Sequence, residues 1–469
     1  MRAASINIRT VNIADRFDGN YHLSEGVMIR KAISASPYPL INVGEAANRI
    51  FIGNRVKRVY VKSDEAGVPF MSSSDILYAD VNKVKRVSKK YTISLEEMKL
   101  DVDWILISRS GTIGNCAYTN KQHAQKLASE HVIRLTPNDI LRKGYIYAYL
   151  SSRYGHSLLT QGTFGAVIQH IEPDFVGGIP IPVMPNNFQT QVDSRIQQAS
   201  KLREEAADLI TGAERRLKDA TGLEDLTVDD YDYFGPRNDS RQVSTHTVNI
   251  REVGTVSFNA FCHSRRINQL RNRIPNSVRI KDVLVGGDTF STGSIPRVEV
   301  KEGNGVMLIN QSDIFDTIVK GKWISKRKVN LSNNLVSYGE VLVAGVGTLG
   351  ENETFCRALF ANEDLVGQLI SGEFIRMKCN EKMPSGYLFT WLNSDYGFRL
   401  IRSTHSGTKL CRPIPALFLQ IPVPVIDKDK MDEIDLMVRT AFTKRHQANN
   451  LEKEAIQMVE NEIDKWNNN

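Results

Sequence analysis

The sequence predicts an α+β protein in which two tandem mixed α/β domains are separated by two long helices that pair as an antiparallel coiled coil. Two observations carry this prediction. Small and aliphatic residues recur at steps of three and four through residues 188–220 and again through residues 431–466, so one face of each helix is apolar. The block before the first helix also matches the block before the second, motif by motif. A chain duplicated in this way can close with pseudo-two-fold symmetry.

The first helical stretch is roughly 50 Å long at about 1.5 Å per residue, longer than most globular helices. We expect its apolar face to pair with that of the second stretch. Arg445 falls where the second stripe needs an apolar residue, so the seam is interrupted there. The alternative is two separate amphipathic helices, each packed on its own domain. The residues that mark the apolar faces of these two helices, which we also expect to bind a partner, are Val192, Ile196, Leu202, Leu209, Leu217, Ile434, Val438, Leu451 and Ile463.

Six motifs recur in the same order about 240 residues apart, which is the signature of an internal repeat. The matched positions are Phe17 with Phe258, Gly67 with Gly305, Gly111 with Gly347, Gly144 with Gly386, Pro180 with Pro422, and Val192 with Ile434. The repeat predicts a first domain over 1–185, a first helix over 186–224, a second domain over 225–425 and a second helix over 426–469. The Ile-Pro-x-Pro runs before each helix are expected to be extended, because Pro fixes its own φ and disfavours helix at the preceding residue.

Composition leaves several function classes open. The chain has 469 residues and a formal net charge of +7, which permits a polyanionic partner without requiring one. The sequence contains no run of about 18 apolar residues, so no membrane span is predicted. The polar first 20 residues lack the core of a signal peptide. The five cysteines include no CxxC pair, so neither a zinc knuckle nor a disulfide framework is indicated, and a cytoplasmic location is expected.

The repeated pattern resembles that of the specificity (S) subunits of type I restriction–modification systems. The resemblance covers essentially the whole chain and depends on the tandem layout together with several short motifs. These are the opening Arg16-Phe17-Asp18 with Tyr21-His22, the Ser-Asp-Ile turns at 74–76 and 312–314, the Gly-Thr-x-Gly turns at 111–114 and 347–350, the Gly-Thr loops at 162–163 and 407–408, and the Ile-Pro-x-Pro exits at 179–182 and 421–424. The opening motif decays to Ser257-Phe258-Asn259 in the second copy.

The resemblance implies that each domain is a target-recognition domain that reads one half of a bipartite, asymmetric DNA site. It implies that the two helices set the spacing and dock methyltransferase (M) subunits, which a restriction (R) subunit can join. It also implies that this chain catalyses nothing and carries no cofactor, since S-adenosylmethionine would bind the M subunit and serve adenine methylation there.

The residues themselves give little support for catalysis or metal binding. Residues 345–350 spell GxGxxG, but no obvious apolar helix follows, so we interpret the run as a structural turn. An Asp/Asn-Pro-Pro-aromatic segment, which an adenine methyltransferase would use to hold the flipped base, is missing, as is a P-loop. The nine histidines form no HxH or HExxH motif. His22 and His263 recur in register, and we expect a shared structural hydrogen bond more than a DNA contact.

Residues that read DNA should be polar, lie on Gly-anchored loops, and differ between the two copies, because base-edge contacts carry sequence information while phosphate contacts only position the protein. Gln suits adenine, whereas Arg and Lys suit guanine. The other interpretation of each residue is a surface loop that touches nothing. The candidate DNA contacts are Ser73, Arg109, Thr112, Thr163, Gln169, His170, Gln311, Thr348, Thr408, Lys409 and Arg412.

Two further function classes stay open at this point. One is a non-catalytic scaffold whose paired helices bind other coiled coils, with only incidental DNA binding. The other is a self-contained enzyme. Salt dependence separates the first from a DNA reader, because binding through several phosphates weakens steeply as salt rises. An assay of the chain alone with S-adenosylmethionine and DNA separates the second.

Overall fold

The computed structural model describes residues 5–14, 16–61, 67–92, 95–163, 169–227, 230, 247–251, 253, 256–327, 329–350 and 352–467. Its contacts divide the chain into two compact units. The first unit comprises Met1–Glu204 with Gln447–Asn469, and the second comprises Glu205–His446. Both boundaries fall inside a long helix, so each unit contains part of both helices. The four-segment division predicted from the sequence stays a prediction.

The first unit is built on two antiparallel-rich sheets. The helices are α1 Ile8–Ala14, α2 Gly19–His22, α3 Glu25–Ser34, α4 Leu95–Met98, α5 Lys143–Ser151, α6 Arg153–Gln161, α7 Pro173–Gly177 and the long α8 Asn186–Thr221. The strands are β1 Leu40–Asn42, β2 Ala47–Ile52, β3 Tyr60–Val61, β4 Gly67–Met71, β5 Arg86–Ser88, β6 Ile105–Ser108, β7 Cys116–Tyr118, β8 Leu127–Ala128, β9 Val132–Pro137 and β10 Pro180–Pro182. One sheet has the strand order β2-β9-β6-β7, and all four residues of its strand β6 are buried. The other has the order β3-β5-β4-β8, and in it β4 and β8 run parallel.

The second unit repeats this plan with fewer strands in each sheet. The helices are α9 Arg265–Asn272, α10 Leu331–Asn334, α11 Ser385–Asn393, α12 Asp395–Ser403, α13 Pro415–Phe418 and the long α14 Lys428–Asn467. The strands are β11 Ser277–Arg279, β12 Val306–Ile309, β13 Lys322–Ile324, β14 Val341–Ala344, β15 Ala358–Phe360, β16 Leu369–Ile370, β17 Phe374–Met377, β18 His405–Ser406, β19 Arg412–Pro413 and β20 Pro422–Pro424. One sheet has the strand order β15-β14-β17. The other has the order β13-β12-β16, and in it β12 and β16 run parallel, as β4 and β8 do in the first unit.

The Ile-Pro-x-Pro runs form the extended strands β10 and β20, and each pairs antiparallel with an early strand of its own unit. A buried tyrosine fixes each run by donating from its hydroxyl to a proline carbonyl. Tyr145 donates to Pro182 over 2.7 Å, and Tyr387 donates to Pro424 over 2.9 Å. Proline has no N–H to donate to a ladder, and the tyrosine hydroxyl gives a carbonyl of the run a hydrogen-bond donor.

A glycine at the start of α5 and of α11 lets each of these helices approach a long helix. The amide of Gly144 donates to Asp193 over 2.8 Å, and the amide of Gly386 donates to Asp435 over 2.6 Å. A Cβ at either glycine would lie 2.9 Å from the Cα of that aspartate. Both glycines are therefore required by close backbone approach, and the sequence repeat is also a repeat of contacts.

The two long helices pack against each other inside each unit. In the first unit, Val192 and Ile196 near the start of α8 share a core with Ala455, Val459 and Ile463 near the end of α14. In the second unit the late part of α8 shares a core with the early part of α14. The start of one helix meets the end of the other, so the pairing is antiparallel. The predicted α+β fold with two long helices is confirmed; the two-fold relation between the halves stays a prediction.

The apolar faces of these helices are covered by the chain itself. The exposed fraction is 3% or less at Val192, Ile196, Leu217, Ile434, Val438 and Ile463. Leu202, Leu209 and Leu451 are half-buried. These side chains stabilise the intramolecular helix pair, as the apolar stripe predicts. Docking of a partner on these helices stays a prediction.

Candidate DNA interface

The Gly-Thr-x-Gly turn of the first unit follows β6 and is held by a small hydroxyl network. The Ser108 hydroxyl lies 2.7 Å from the Ser73 carbonyl oxygen and 3.1 Å from the Thr112 hydroxyl. Gly111 has φ of 79°, a left-handed conformation in which a side chain would be strained. The structure thus brings together Ser73 and Thr112, two of the predicted contacts. Thr112 is exposed, and the Ser73 side chain is half-buried.

Arg109 lies beside this turn but is engaged within the protein. Its Nη2 pairs with the Glu172 carboxylate, and its Nε donates to the Ile171 carbonyl over 3.2 Å. Only 15% of its side chain is exposed. A guanidinium that already bonds two groups of its own chain has less capacity to bind a phosphate. Arg109 therefore positions the segment 171–172.

This segment follows the end of the first unit's Gly-Thr loop. His170 forms an antiparallel bridge with Ser110, which sets it against the Gly-Thr-x-Gly turn. Gln169 is exposed, and Thr163 at the other end of the loop is half-buried. The loop residues 164–168 lie outside the described residues. His170, Ser73 and the turn that carries Thr112 therefore lie side by side in the first unit.

Gln311 in the second unit is turned inward. Its Nε2 donates to the Val346 carbonyl over 2.6 Å, and its Oε1 accepts from the Val346 amide over 3.2 Å. Only 8% of the residue is exposed. Gln311 thus holds the Gly-Thr-x-Gly turn by its backbone, and the prediction that it reads DNA is corrected. Thr348, two residues further along, is exposed.

The second unit joins its turn to its Gly-Thr loop as the first unit does. Gly347 pairs with Cys411: the Cys411 amide donates to the Gly347 carbonyl over 2.8 Å, and the reverse bond is 3.2 Å. The GxGxxG run is therefore a turn between β14 and β15, and no helix follows it in the described residues 352–357. This agrees with the structural interpretation of the run.

The Gly-Thr loop of the second unit is the hairpin of β18 and β19, in which Ser406 pairs with Arg412. Gly407 has φ of 90° at the bend. Thr408, Lys409 and Arg412 are all exposed. Two cations and a hydroxyl on a short, backbone-paired hairpin are the side-chain types that reach phosphates and guanine edges. This hairpin is the part of the predicted interface that the structure presents most openly.

The two opening motifs are rigid in the same way, as the recurrence of their histidines predicts. His22 Nε2 lies 2.6 Å from the Arg16 carbonyl oxygen, and His263 Nε2 lies 2.7 Å from the Ser257 carbonyl oxygen. The expected structural hydrogen bond is confirmed in both copies. Exposure of Phe17 and Phe258, which lie between these partners in the two copies, could not be predicted from the motifs.

Two general properties of the site follow from the described residues. In that part of the chain no cluster of three His, Cys, Asp or Glu could hold a metal ion. A membrane-spanning helix is likewise not found there, since none is both long and apolar enough. The site is a set of loops on two similar units whose exposed side chains differ between the units.

Comparison with known families finds a match over part of the chain. Residues 43–205 match the family described as type I restriction modification DNA specificity domain. The match covers less than half of the chain, and it confirms the resemblance predicted from the motifs. The match ends inside α8, at the boundary between the two units, which lies between Glu204 and Glu205. No curated protein matches the sequence.

Solved structures of type I systems align along most of the chain at low identity. The S subunit of the type I restriction–modification system from M. genitalium is 12% identical over 92% of this chain and 94% of its own, with a TM-score of 0.30. The HsdS subunit from Thermoanaerobacter tengcongensis is 11% identical over 92% and 96%, with a TM-score of 0.27. A chain from a study of complex assembly and conformational transition of the type I R-M system is 14% identical over 92% and 98%, also with a TM-score of 0.27. The resemblance to the family therefore depends on the match at residues 43–205.

Proposed function

We propose that the chain is the specificity subunit of a type I restriction–modification complex and that it reads a bipartite, asymmetric DNA target. Each unit would read one half of the target with the Gly-Thr loop and the Gly-Thr-x-Gly turn beside it. The observation that carries the proposal is that the same loop frame recurs in both units with different exposed side chains. Gln169 is exposed in the first unit, whereas Lys409 and Arg412 are exposed in the second.

Different side chains on equal frames suit two half-sites of different sequence. An amide can pair bidentately with adenine, while a guanidinium or ammonium pairs with guanine. If the two units read the same bases, their loops would be expected to agree, as their core contacts do. Support for DNA as the ligand comes from the family match and from these exposed polar groups together.

The proposal assigns the chemistry to partner subunits. M subunits would bind this chain and carry S-adenosylmethionine, which supplies the methyl group for adenine, and R subunits would join for translocation and cleavage. The polar faces of α8 and α14 are the surface that we assign to docking, because the apolar faces are buried in each unit. This chain would contribute recognition and spacing and would have no turnover alone.

The experiment is to purify the chain with its M subunit and to measure methyl transfer from S-adenosylmethionine to plasmid DNA, with each protein alone as control. We expect transfer only with both, and at one recurrent two-part sequence. Methyl transfer that does not depend on this chain, or that shows no sequence preference, would overturn the proposal. Transfer by the chain alone would favour the self-contained enzyme.

A further inference from the structure

Phe17 and Phe258 are the most exposed large apolar side chains in the described part of the chain, each at 80%. They are also its only exposed phenylalanines. They occupy matching positions of the internal repeat. A single exposed apolar residue needs no explanation, but the same residue type at the same place in both repeats, equally exposed, indicates a shared contact.

In the first unit the backbone on each side of Phe17 is fixed. Asp18 accepts from the Tyr21 amide over 2.9 Å and caps α2, while His22 bonds the Arg16 carbonyl. Arg16 also pairs with Asp18 over 2.6 Å, and this hydrogen bond holds the pKa of the Asp18 carboxyl below its ordinary value. The phenyl ring is therefore presented to solvent by a braced loop.

The second unit reaches the same result with different partners. Asn259 accepts from the Phe261 amide over 3.1 Å, and His263 bonds the Ser257 carbonyl. Serine stands where the first unit has Arg16, so no ion pair forms here. The cap, the histidine bond and the exposed ring are kept although the charged pair is not. What the two repeats preserve is the presentation of the ring.

Each loop is bonded to the Gly-Thr loop of its own unit. Arg16 Nη2 donates to the Thr163 carbonyl over 3.0 Å, and Asn259 Nδ2 donates to the His405 carbonyl over 2.9 Å. Each exposed phenylalanine is thus next in sequence to a residue that holds the proposed DNA-reading loop. In the second unit that loop also carries the exposed cations Lys409 and Arg412, which would draw a phosphate backbone to this side.

We propose that Phe17 and Phe258 are apolar DNA contacts that wedge against a base step or a sugar edge, one in each half of the target. The proposal rests on the proposed function, because it takes DNA as the ligand of the Gly-Thr loops. A wedge reads deformability and shape, not base identity. That explains why the ring is the same in both units while the polar reading side chains differ. The stiff loops reduce the ordering cost when the ring meets DNA.

The test uses the complete complex with M subunits and a duplex that contains its methylation target. Phe17→Ala and Phe258→Ala are each expected to weaken binding by about tenfold, and Phe→Leu at either site by less. A 2-aminopurine base placed at successive positions of each half-site should rise in fluorescence at one base step when the wild-type complex binds. The rise should disappear only in the variant whose phenylalanine contacts that half-site. Ile250→Ala, at a residue that is 74% exposed, is the control for loss of an exposed apolar side chain.

The outcomes separate this inference from the function beneath it. If the wild-type complex shows no preferred DNA target, the proposed function fails. If Lys409→Ala weakens binding while both alanine variants bind and report as wild type, only the wedge is overturned. Size-exclusion chromatography of the variants with M subunits is the remaining arm. Loss of assembly with unchanged DNA contact would make the rings protein anchors and would also overturn the proposal.

Discussion

Arg203 of α8 pairs with Glu452 of α14 inside the first unit, Nη1 to Oε2, over 2.5 Å. The Glu452 side chain is 6% exposed, and its other oxygen accepts from the Tyr147 hydroxyl over 2.8 Å. Arg203 also donates to Asn449 over 3.0 Å. Each oxygen of the buried Glu452 carboxylate thus accepts a hydrogen bond, one from the Arg203 guanidinium and one from the Tyr147 hydroxyl. These bonds fix the positions of α8, α14 and α5 relative to one another in the first unit.

Removal of the Arg203 charge should destabilise the first unit strongly. Arg203→Met leaves the buried Glu452 charge without its cation, and the expected loss in the free energy of unfolding is about 3 kcal/mol. Chemical denaturation monitored by circular dichroism measures it. The double variant Arg203→Met with Glu452→Gln should recover part of the loss. If the double variant loses the sum of both single changes, the pair is not coupled.

The hairpin of the second unit should supply both affinity and salt dependence. Arg412→Ala is expected to cost about 1–3 kcal/mol on a target with guanine at the contacted position, and Lys409→Ala to lower the salt slope by about one if it contacts phosphate. Binding of the complex to labelled duplex at several salt concentrations measures both. Lys301→Ala, at an exposed lysine of the second unit outside the hairpin and the long helices, is the matched charge control. Equal effects of all three changes would argue against the hairpin.

Gln311 should act through the turn that it holds. Gln311→Ala removes both bonds to Val346, and we expect a loss of about 1–3 kcal/mol in the free energy of unfolding because two buried backbone groups lose their partner. DNA binding should weaken as a consequence, since Thr348 lies on that turn. Ser312→Ala, at the next residue, whose side chain is exposed and bonds Asp313, is the control. Weaker DNA binding with unchanged stability would instead restore Gln311 as a direct contact.

His123 should make the first unit sensitive to acid. Burial lowers the pKa of His123 to about 3 from an ordinary value of 6.5, and the Asn120 amide donates to its Nδ1 over 3.2 Å. Between pH 6.5 and about 3, His123 is therefore protonated in the unfolded chain and neutral in the folded chain. Stability should fall as pH falls through that window, by up to about 1.4 kcal/mol per pH unit. Denaturation of wild type and His123→Gln at pH 7.5 and 5.5 measures it; an equal slope in the two proteins would contradict it.

The repeat, the two helices and the turns could be predicted because they depend on local pattern. Helical spacing, Gly at positive φ and Ile-Pro-x-Pro act over a few residues, and the duplication lets each weak motif support its copy. The direction of a loop side chain does not follow from such patterns. Gln311 points inward because the Val346 backbone, 35 residues away, offers both bonding groups. Arg109 is engaged because Glu172 lies beside it, 63 residues further along the chain.

The use of the helix faces was also beyond the sequence. An apolar stripe predicts a buried face but does not say which chain covers it. Here Ile434 and Val438 are packed in the core of the second unit together with residues of α8 and α11. Exposure of Phe17 and Phe258 is the converse case. Composition predicts burial of phenylalanine, and only the bonded loops show that the ring stays outside.

The most direct measurement of the central claim is to sequence the methylated sites in cells that carry this chain and its M subunit, before and after residues 407–412 are exchanged for another sequence. Two unlike readers on equal frames predict a two-part wild-type motif in which the exchange alters one half only. The other half and the spacing between them should stay the same. A motif in which both halves change, or neither does, would contradict the claim that each unit reads its own half.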